Sequence, residues 1–251
     1  MKRIDLNADM GEGFGSWKMG ADADLMPLIS SANVACGGHA GDPNVMSATV
    51  RLAHRHGVAV GAHPSYPDLP GFGRRSIPMS REEITRSVLY QLGALWAIAR
   101  AEGVALHHIK PHGALYNDAS VDEIIAEAVV DACTLFSTEL LIYALPGSTL
   151  ARVGADKGLK VALEGFADRA YQPNGLLADR KMPGAVHSHV GKALAQAISL
   201  AEGHLETSDG SIIAVNIATI CLHSDTPGAG EMARLIRSGL TNEGYTIAPP
   251  E

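Results

Sequence analysis

Cysteine is scarce in this chain, and basic clusters, long apolar runs and nucleotide-binding signatures are missing from its sequence. The three cysteines, Cys36, Cys133 and Cys221, are an odd number without zinc-finger spacing, which favours reduced thiols over a disulfide framework. No apolar stretch approaches the ~20 residues of a membrane span, and the first residues lack the apolar core of a signal peptide. The sequence therefore predicts a soluble, cytoplasmic protein with no membrane partner.

The charge balance argues against a nucleic-acid-binding protein. The chain has 20 lysines and arginines against 27 aspartates and glutamates, a net charge of −7, and such a surface offers no basic field for phosphates. There is no Walker-type lysine motif, and the glycines between Gly11 and Gly15 lack the dinucleotide-binding spacing. The nearby carboxylates of Asp9 and Glu12 would also repel a bare phosphate. No redox cofactor is expected.

Short β-rich runs alternate with helical segments along the chain. Strands are predicted near residues 3–8, 30–35, 57–62, 105–110, 140–144, 160–164 and 216–222. With 251 residues and 46% hydrophobic content, the chain is long enough for one parallel barrel or one doubly wound sheet. The alternation favours an α/β fold, a parallel (β/α) barrel with seven strands and some irregularity, forming a single domain over residues 1–251.

Capping residues, prolines and glycines mark the boundaries of the predicted helices. These helices run from Asp42 to Gly57, from Ser80 to about Gly103, from Ser120 through Val129, from about Ala185 to Leu200 and from about Gly230 to Leu240. The second and third begin with a capping box, in which a serine is followed three residues later by a glutamate.

The predicted strands end in acidic, histidine or lysine side chains. Because the carboxyl ends of parallel strands all reach one face of a barrel, groups distant in sequence should converge on one cleft there. The predicted catalytic residues are Asp9, Glu12, His39, His63, Lys110, His112 and Asp168. The predicted substrate-binding residues are Asn7, Arg74, Tyr116, Glu164, Arg169 and His223.

The first strand gives the strongest support for this cleft. Alternation along the strand places Asp5, Asn7 and Asp9 on one face. Buried polar groups are costly unless they are hydrogen-bonded, bind a metal or meet substrate. At the end of a later strand, Lys110 could pair with a carboxylate or stabilise a developing oxyanion.

Two connections are longer than the ~2–6 residues usual for loops that join a strand to a helix. They span Pro64–Met79, which carries Arg74, and Gly165–Gly184, which carries Arg169. Both follow predicted strands and should overhang the carboxyl-end face. They are interpreted as a lid or a substrate-binding loop.

A metal site is a further hypothesis for the same residues. Asp9 with His39 and His63 would form a mixed carboxylate–imidazole triad, which suits Zn, Fe or Mn. No local motif such as HExxH supports it. A tightly bound transition metal is therefore not expected, and if one binds, these three residues are its predicted ligands.

With these residues in view, the chain resembles the LamB/YcsF family, formerly called lactam utilisation proteins. The resemblance extends from residue 4 to about residue 230 in an ordered set of matching stretches. They are IDLNADMGEGFG, SANVACGGHAGDP, VGAHPSYPDLPGFGRR, HIKPHGALYN, EGFADRAY and LHSDTPGA.

The resemblance implies a barrel of about seven strands, similar to the glycoside hydrolase/deacetylase fold. It also implies ATP-dependent hydrolysis of 5-oxo-L-proline (pyroglutamate) to L-glutamate, with ADP and phosphate released. ATP would then be a co-substrate, with Mg bound to it, and the partners would be 5-oxoprolinase subunits B and C. Because the chain has no P-loop, we expect it to handle the lactam or its activated intermediate while the ATP chemistry is shared with those partners.

Two other functions stay open at this point. One is a metal-dependent amide hydrolase or carbohydrate deacetylase that works without ATP. The other is a non-catalytic protein that binds 5-oxoproline and presents it to partner enzymes. Chelator sensitivity would indicate the first, and ligand binding without loss of rate on replacement of His39 or Asp9 would indicate the second.

Overall fold

The computed structural model describes residues 2–187, 189–222 and 228–251. The strands are β1 (Lys2–Met10), β2 (Ser31–Ala35), β3 (Ala59–His63), β4 (Leu106–Ile109), β5 (Leu141–Ala144), β6 (Val161–Phe166), β7 (His204–Glu206), β8 (Ile212–Ala214), β9 (Thr219–Leu222) and β10 (Tyr245–Ile247). The helices are α1 (Asp22–Leu25), α2 (Pro43–His56), α3 (Arg81–Ala101), α4 (Gly113–Ala119), α5 (Glu123–Phe136), α6 (Thr149–Asp156), α7 (Val190–Ala201) and α8 (Ala229–Asn242), with a 3₁₀ turn at Met26–Leu28. Within these ranges no helix combines the length and hydrophobicity needed to cross a bilayer.

Seven parallel strands close into a barrel. The order around the ring is β1-β2-β3-β4-β5-β6-β9, and β9 pairs with β1 to complete it. This closure confirms the predicted barrel and excludes the open, doubly wound sheet. Outside the ring, β10 extends the sheet beside the start of β1, and β7 and β8 form a separate antiparallel ribbon. The sequence patterns did not predict these three short strands.

Two of the predicted helix starts are confirmed by their caps. Oδ1 of Asp42 accepts hydrogen bonds from the backbone amides of Asn44 and Val45, at the start of α2. Ser80 and Glu83 form the reciprocal capping box at the start of α3. Each cap satisfies amides that have no partner inside the helix.

The predicted start at Ser120 is wrong. Ser120 ends α4, and its hydroxyl donates to the carbonyl of Tyr116 at 2.7 Å. The cap of α5 is Asp122, whose Oδ1 accepts from the amide of Ile125. Ser120 and Asp122 are both residue types that can cap a helix. Ser120 lies at the C-terminal end of α4, and Asp122 is the residue that caps α5.

The predicted start of α7 at about Ala185 is five residues early, since the helix begins at Val190. The carbonyl of Ala185 accepts a hydrogen bond from the amide of Ala170, and Arg169 forms an isolated bridge with Val186. These residues belong to the long loop after β6. The two contacts join the beginning and the end of that loop before α7 starts.

The barrel interior is polar along β1, as the alternation predicts. At the end nearest the start of β1, the carboxyl group of Asp5 accepts hydrogen bonds from the hydroxyls of Ser30, Ser31, Tyr143 and Thr219 at 2.6–3.1 Å. Burial raises the pKa of Asp5 despite these bonds. The apolar core therefore lies between the barrel and its helices, while the inside of the barrel is a hydrogen-bonded network.

Replacing Gly61 by alanine should destabilise the protein by about 1–3 kcal/mol, the usual cost of overpacking. A Cβ at this position would lie 2.1 Å from Nε2 of His108. That ring is held by its 2.7 Å hydrogen bond to Oδ1 of Asn33 and by stacking on Tyr143. The free energy of unfolding in urea measures the effect.

Gly93→Ala is the matched control for that substitution. Gly93 lies inside α3 with nothing within 4 Å of an added Cβ, so the change should stabilise the helix by about 0.5–1 kcal/mol. Equal effects of the two substitutions would contradict the packing described for His108.

Candidate active site

A cavity of about 610 Å³ opens where the barrel strands end. This volume lies within the ~300–1,000 Å³ typical of small-molecule sites. Its floor includes Asp9, Glu12, His63, Lys110 and His112, and its walls come from α4 and the two long loops. Residues far apart in sequence are in contact beneath that floor, such as Asn7 and Lys110, which are 103 positions apart, and Asn7 and Glu164, which are 157 positions apart. The expected convergence on one cleft is therefore present.

Three histidines and one glutamate form the centre of the floor. The atoms that Glu12, His39, His63 and His112 offer all lie within 4.8 Å of one another, and all four residues are buried. Oε1 of Glu12 is 3.1 Å from Nε2 of His39 and 3.4 Å from Nδ1 of His112. The rings of His39 and His112 stack with centroids 3.7 Å apart. We call these four residues the histidine cluster.

Burial keeps two of these imidazoles neutral. It lowers the pKa of His39 well below the ordinary value, with a further contribution from the charge of His63. Burial likewise lowers the pKa of His112, assisted by His39 and His63. Neutral imidazoles are proton acceptors and metal ligands rather than proton donors.

Asp9 joins the histidine cluster to a buried ion-pair network. Its Oδ1 lies 3.2 Å from Nε2 of His63 and 3.2 Å from Nζ of Lys110, and the side-chain amide of Asn33 donates to it at 2.9 Å. Nζ of Lys110 also lies 2.9 Å from Oε1 of Glu164. One ammonium thus holds two carboxylates in place inside the barrel.

Lys110 remains protonated in this position. Burial by itself lowers the pKa of the ammonium, but the nearby carboxylates of Asp9 and Glu164 outweigh burial and raise the pKa well above the ordinary value. Lys110 is therefore a permanent cation and not a general base. Its contacts with Asn7, Asp9, Glu164 and Cys221 make it a residue that positions Asp9.

The first long loop folds over the histidine cluster. The carbonyl of Phe72 accepts a hydrogen bond from Nε2 of His112 at 3.0 Å, and the Phe72 ring meets the His39 and His112 rings edge-on. Phe72 has φ of 55°, a strained value for a residue with a side chain. A Cβ on the next residue, Gly73, would lie 2.8 Å from the His112 ring. The loop therefore covers the histidines at the cost of local strain.

The predicted substrate-binding residues occupy different depths. Arg74, Tyr116 and Arg169 line the cavity. Asn7 and Glu164 lie deeper, where the side-chain amide of Asn7 donates to Oε1 of Glu164 at 2.8 Å, so both belong to the network that supports the floor. His223 lies outside the described residues.

The second long loop carries Asp168 and Arg169. Arg169 lines the cavity, but its guanidinium also donates to the carbonyls of Ala178 and Ala185 and so ties this loop together. Burial lowers its pKa to about 10, assisted by Arg180, which leaves it charged at neutral pH. Asp168 is buried beside it and, among the described residues, is not one that lines the cavity.

Some supporting residues were missed by the sequence analysis. Asn33 donates to Asn7 and Asp9, and Thr219 donates to Asp5 and contacts Asn7. The same alternation that singles out the inward face of β1 also applies to Ser31 and Asn33 on β2. The inward orientation of Ser31 and Asn33 was therefore predictable from this alternation, which we applied only to the first strand.

The comparisons with known proteins agree with this architecture. The sequence model of the LamB/YcsF family matches residues 4–251. The chain belongs to the LamB/YcsF family. A relative from Symbiobacterium thermophilum, named as the A subunit of 5-oxoprolinase, is 52% identical over 251 residues, covering 100% of this chain and 96% of the relative. A protein of the same name from Pyrococcus furiosus is 47% identical over 248 residues, covering 98% of this chain and 97% of the relative.

Two solved structures share the barrel fold of this LamB/YcsF member. A crystal structure of a lactam utilization protein from Thermus thermophilus superposes with a TM-score of 0.94 at 45% identity, covering 99% of this chain and 100% of that one. The catalytic domain of a peptidoglycan N-acetylglucosamine deacetylase from Eubacterium rectale gives a TM-score of 0.51 at 14% identity, over 100% of this chain and 89% of that one. The latter likeness concerns the fold alone, and the fold is the one that the family resemblance implies.

Proposed function

We propose that this chain opens the lactam ring of 5-oxo-L-proline to give L-glutamate, in a reaction coupled to ATP and shared with two partner subunits, B and C. Relatives named as the A subunit of 5-oxoprolinase, 52% and 53% identical over nearly the whole chain, support the substrate and the existence of partners. The observation that carries the proposal is the group of carboxylate, imidazole and ammonium side chains on the floor of a 610 Å³ cavity.

The chemistry explains why ATP is part of the proposal. A five-membered lactam is an unstrained amide that resists attack by water. Transfer of the terminal phosphoryl group of ATP to the lactam oxygen gives an imidate phosphate and ADP, with loss of the proton on nitrogen. Water then adds to the ring carbon, the carbon–nitrogen bond breaks as the nitrogen takes up a proton, and a second water releases phosphate from the resulting acyl phosphate to give glutamate.

Asp9 is the residue that we assign as general base for the attacking water. It borders the cavity, and Lys110 and Asn33 hold its Oδ1 at 3.2 and 2.9 Å, so its orientation is fixed before the substrate arrives. After Asp9 has taken a proton from water, the same carboxyl group can pass that proton to the ring nitrogen as it leaves. The imidazole of His63 lies beside this carboxyl group, with Nε2 at 3.2 Å from Oδ1.

The phosphoryl transfer itself is assigned to a partner protein. The chain has no Walker-type lysine motif, and its cavity floor is rich in carboxylates, which disfavour a bare triphosphate. In this proposal Mg and ATP bind mainly to a partner, while the lactam binds here. ATP cleavage by this chain alone, in proportion to the 5-oxoproline consumed, would contradict that division.

Arg74→Gln should raise the KM for 5-oxoproline by about 10-fold or more while kcat changes little, because a charge-assisted hydrogen bond contributes roughly 1.5–3 kcal/mol. Arg74 lines the cavity and lies two residues after the strained Phe72, and we assign its guanidinium to the substrate carboxylate. Steady-state kinetics of the reconstituted complex measure the effect.

Arg86→Gln serves as the control for that variant. Arg86 lies on the exposed face of α3 and pairs with Glu82, and it is not among the cavity-lining residues described, so its replacement should leave both constants unchanged. A fall in kcat with an unchanged KM in Arg74→Gln would contradict the assignment to carboxylate binding.

Glutamate release from 5-oxoproline tests the proposed function. The assay compares this chain alone with a mixture that contains subunits B and C, each with and without ATP. The proposal predicts glutamate only in the complete mixture with ATP. Turnover by the chain without ATP would instead indicate an amide hydrolase, a second candidate that the histidine cluster favours, and normal turnover by a complex lacking this chain would contradict both.

A further inference from the structure

The hydrogen bonds of two histidines fix which ring nitrogens carry protons. Nδ1 of His63 lies 2.7 Å from the carbonyl oxygen of Lys110. Nε2 of His112 lies 3.0 Å from the carbonyl oxygen of Phe72. A carbonyl oxygen only accepts hydrogen bonds, so each of these nitrogens must be the donor. In a neutral ring the other nitrogen then has a lone pair and no proton.

Those two remaining nitrogens face each other. Nε2 of His63 and Nδ1 of His112 are 3.0 Å apart, and in neutral rings both would present lone pairs across this distance. Oε1 of Glu12 lies 3.4 Å from Nδ1 of His112 and 3.1 Å from Nε2 of His39. One ligand atom from each of these four residues lies within 4.8 Å of the others. Oδ1 of Asp9, 3.2 Å from Nε2 of His63, lies beside this group and is not part of it.

We infer that the histidine cluster is a binding site for a divalent transition-metal ion of the zinc class, with Glu12, His39, His63 and His112 as its ligands. An ion at this point would satisfy the facing lone pairs of His63 and His112 together. This ligand set shares His39 and His63 with the triad predicted from sequence, but Glu12 and His112 take the place assigned there to Asp9.

The spacing of the cluster agrees with tetrahedral coordination. Ligand bonds of ~2.0–2.1 Å from zinc to nitrogen or oxygen require neighbouring ligand atoms to be about 3.3 Å apart. The observed separations within the cluster are 3.0 Å between His63 and His112, 3.1 Å between His39 and Glu12, and 3.4 Å between His112 and Glu12. Three of the six separations thus lie near the distance that one ion needs, and all four atoms lie within 4.8 Å of one another.

The surroundings of the cluster also resemble those of a metal site. Metal-bound histidines usually donate their second ring nitrogen to a carbonyl or carboxylate, which fixes the ring, and His63 and His112 both do so. Nδ1 of His39 is buried without a hydrogen-bond partner among the described residues, so that nitrogen does not fix the orientation of its ring.

Three of the four ligands border the cavity, whereas His39 lies behind them. An ion bound there would act as a Lewis acid towards a carbonyl oxygen in the cavity. The metal site does not depend on the identity of the substrate, because its support comes only from the geometry of the protein groups.

Metal titration of the intact chain tests this inference. Protein freed of metal by dialysis against a chelator is titrated with Zn²⁺ in competition with a chromophoric chelator, and separately with Co²⁺, whose visible absorption reports tetrahedral coordination. We expect one tightly bound equivalent per chain and a rise in Tm on binding. Glu12→Gln and His112→Asn should each weaken binding by at least about 100-fold, the upper range for loss of groups that merely support a metal site.

Two controls distinguish the loss of a metal ligand from the loss of folding. His54→Asn removes an exposed histidine at the end of α2 and should bind Zn²⁺ as the unaltered chain does. Thermal unfolding of each variant without metal shows whether it folds, and Glu12→Gln preserves the size of the side chain. Equal affinity of the unaltered chain and folded Glu12→Gln would overturn the site. So would a His63 imidazolium that persists in ¹⁵N NMR spectra with excess Zn²⁺, because a proton would then separate the two rings.

Discussion

Asp9→Asn is expected to lower glutamate formation by the reconstituted complex by about 10²- to 10⁴-fold, the usual contribution of a general base. Asparagine has the same shape, and its amide oxygen can keep the hydrogen bonds from Lys110 and Asn33 that Asp9 accepts. It cannot accept a proton from water. The loss should therefore appear in kcat, with KM changed only slightly, when glutamate is measured with a coupled dehydrogenase.

Asp5→Asn provides a matched control on the same strand. Asp5 also points into the barrel and is fully buried, but it lies below the cavity among four hydroxyl groups. Burial already favours its neutral form by raising its pKa, so an amide should be tolerated and turnover should be retained. If folded Asp9→Asn kept more than roughly a tenth of the activity, Asp9 would not be the general base.

Lys110→Met should destabilise the fold by about 3–5 kcal/mol, the cost of leaving buried charges without their partner. The substitution keeps most of the apolar length of the side chain but removes the ammonium between Asp9 and Glu164. Because the folded-state pKa of Lys110 lies above the ordinary value, its contribution is complete at neutral pH and would decline only above pH ~10.4. The free energy of unfolding in urea at pH 7 measures the loss.

Lys157→Met is the control, since Lys157 is exposed after α6 and its loss should change stability by no more than about 0.5 kcal/mol. Adding Glu164→Leu to Lys110→Met should restore part of the stability, because it removes one of the two buried carboxylates that have lost the ammonium. A loss below about 1 kcal/mol in Lys110→Met would mean that the buried network reorganises or admits water, and would contradict its positioning role.

The barrel was predictable because its signals are local. Most strands contain short runs of apolar residues, and β1 alternates apolar and polar residues. Asp42 and Ser80 mark helix starts through contacts with residues two or three positions away. The same local signals gave the wrong start for α5, because both Ser120 and Asp122 can cap a helix and Ser120 lies at the end of α4. They also missed β10, which pairs with the start of β1, more than 240 residues earlier in the chain.

The floor of the candidate site was predictable to a similar extent. Parallel strands bring Asp9, His63 and His112 together by topology alone, and the structure places them within 3.2 Å of their neighbours. The grouping of His39 with Glu12 depends on how the loops after β1 and β2 fold, which alternation along a strand does not specify. The depth of Asp168 depends in the same way on the long loop after β6.

A structure of the complex with subunits B and C, 5-oxoproline and a non-hydrolysable ATP analogue would show where the lactam and the nucleotide bind. We expect the lactam to lie in the cavity of this chain, with its carbonyl carbon facing Asp9 and the histidine cluster and its carboxylate near Arg74, while the nucleotide lies mainly on a partner. A lactam bound wholly within a partner protein, with this cavity filled by solvent, would contradict this expectation.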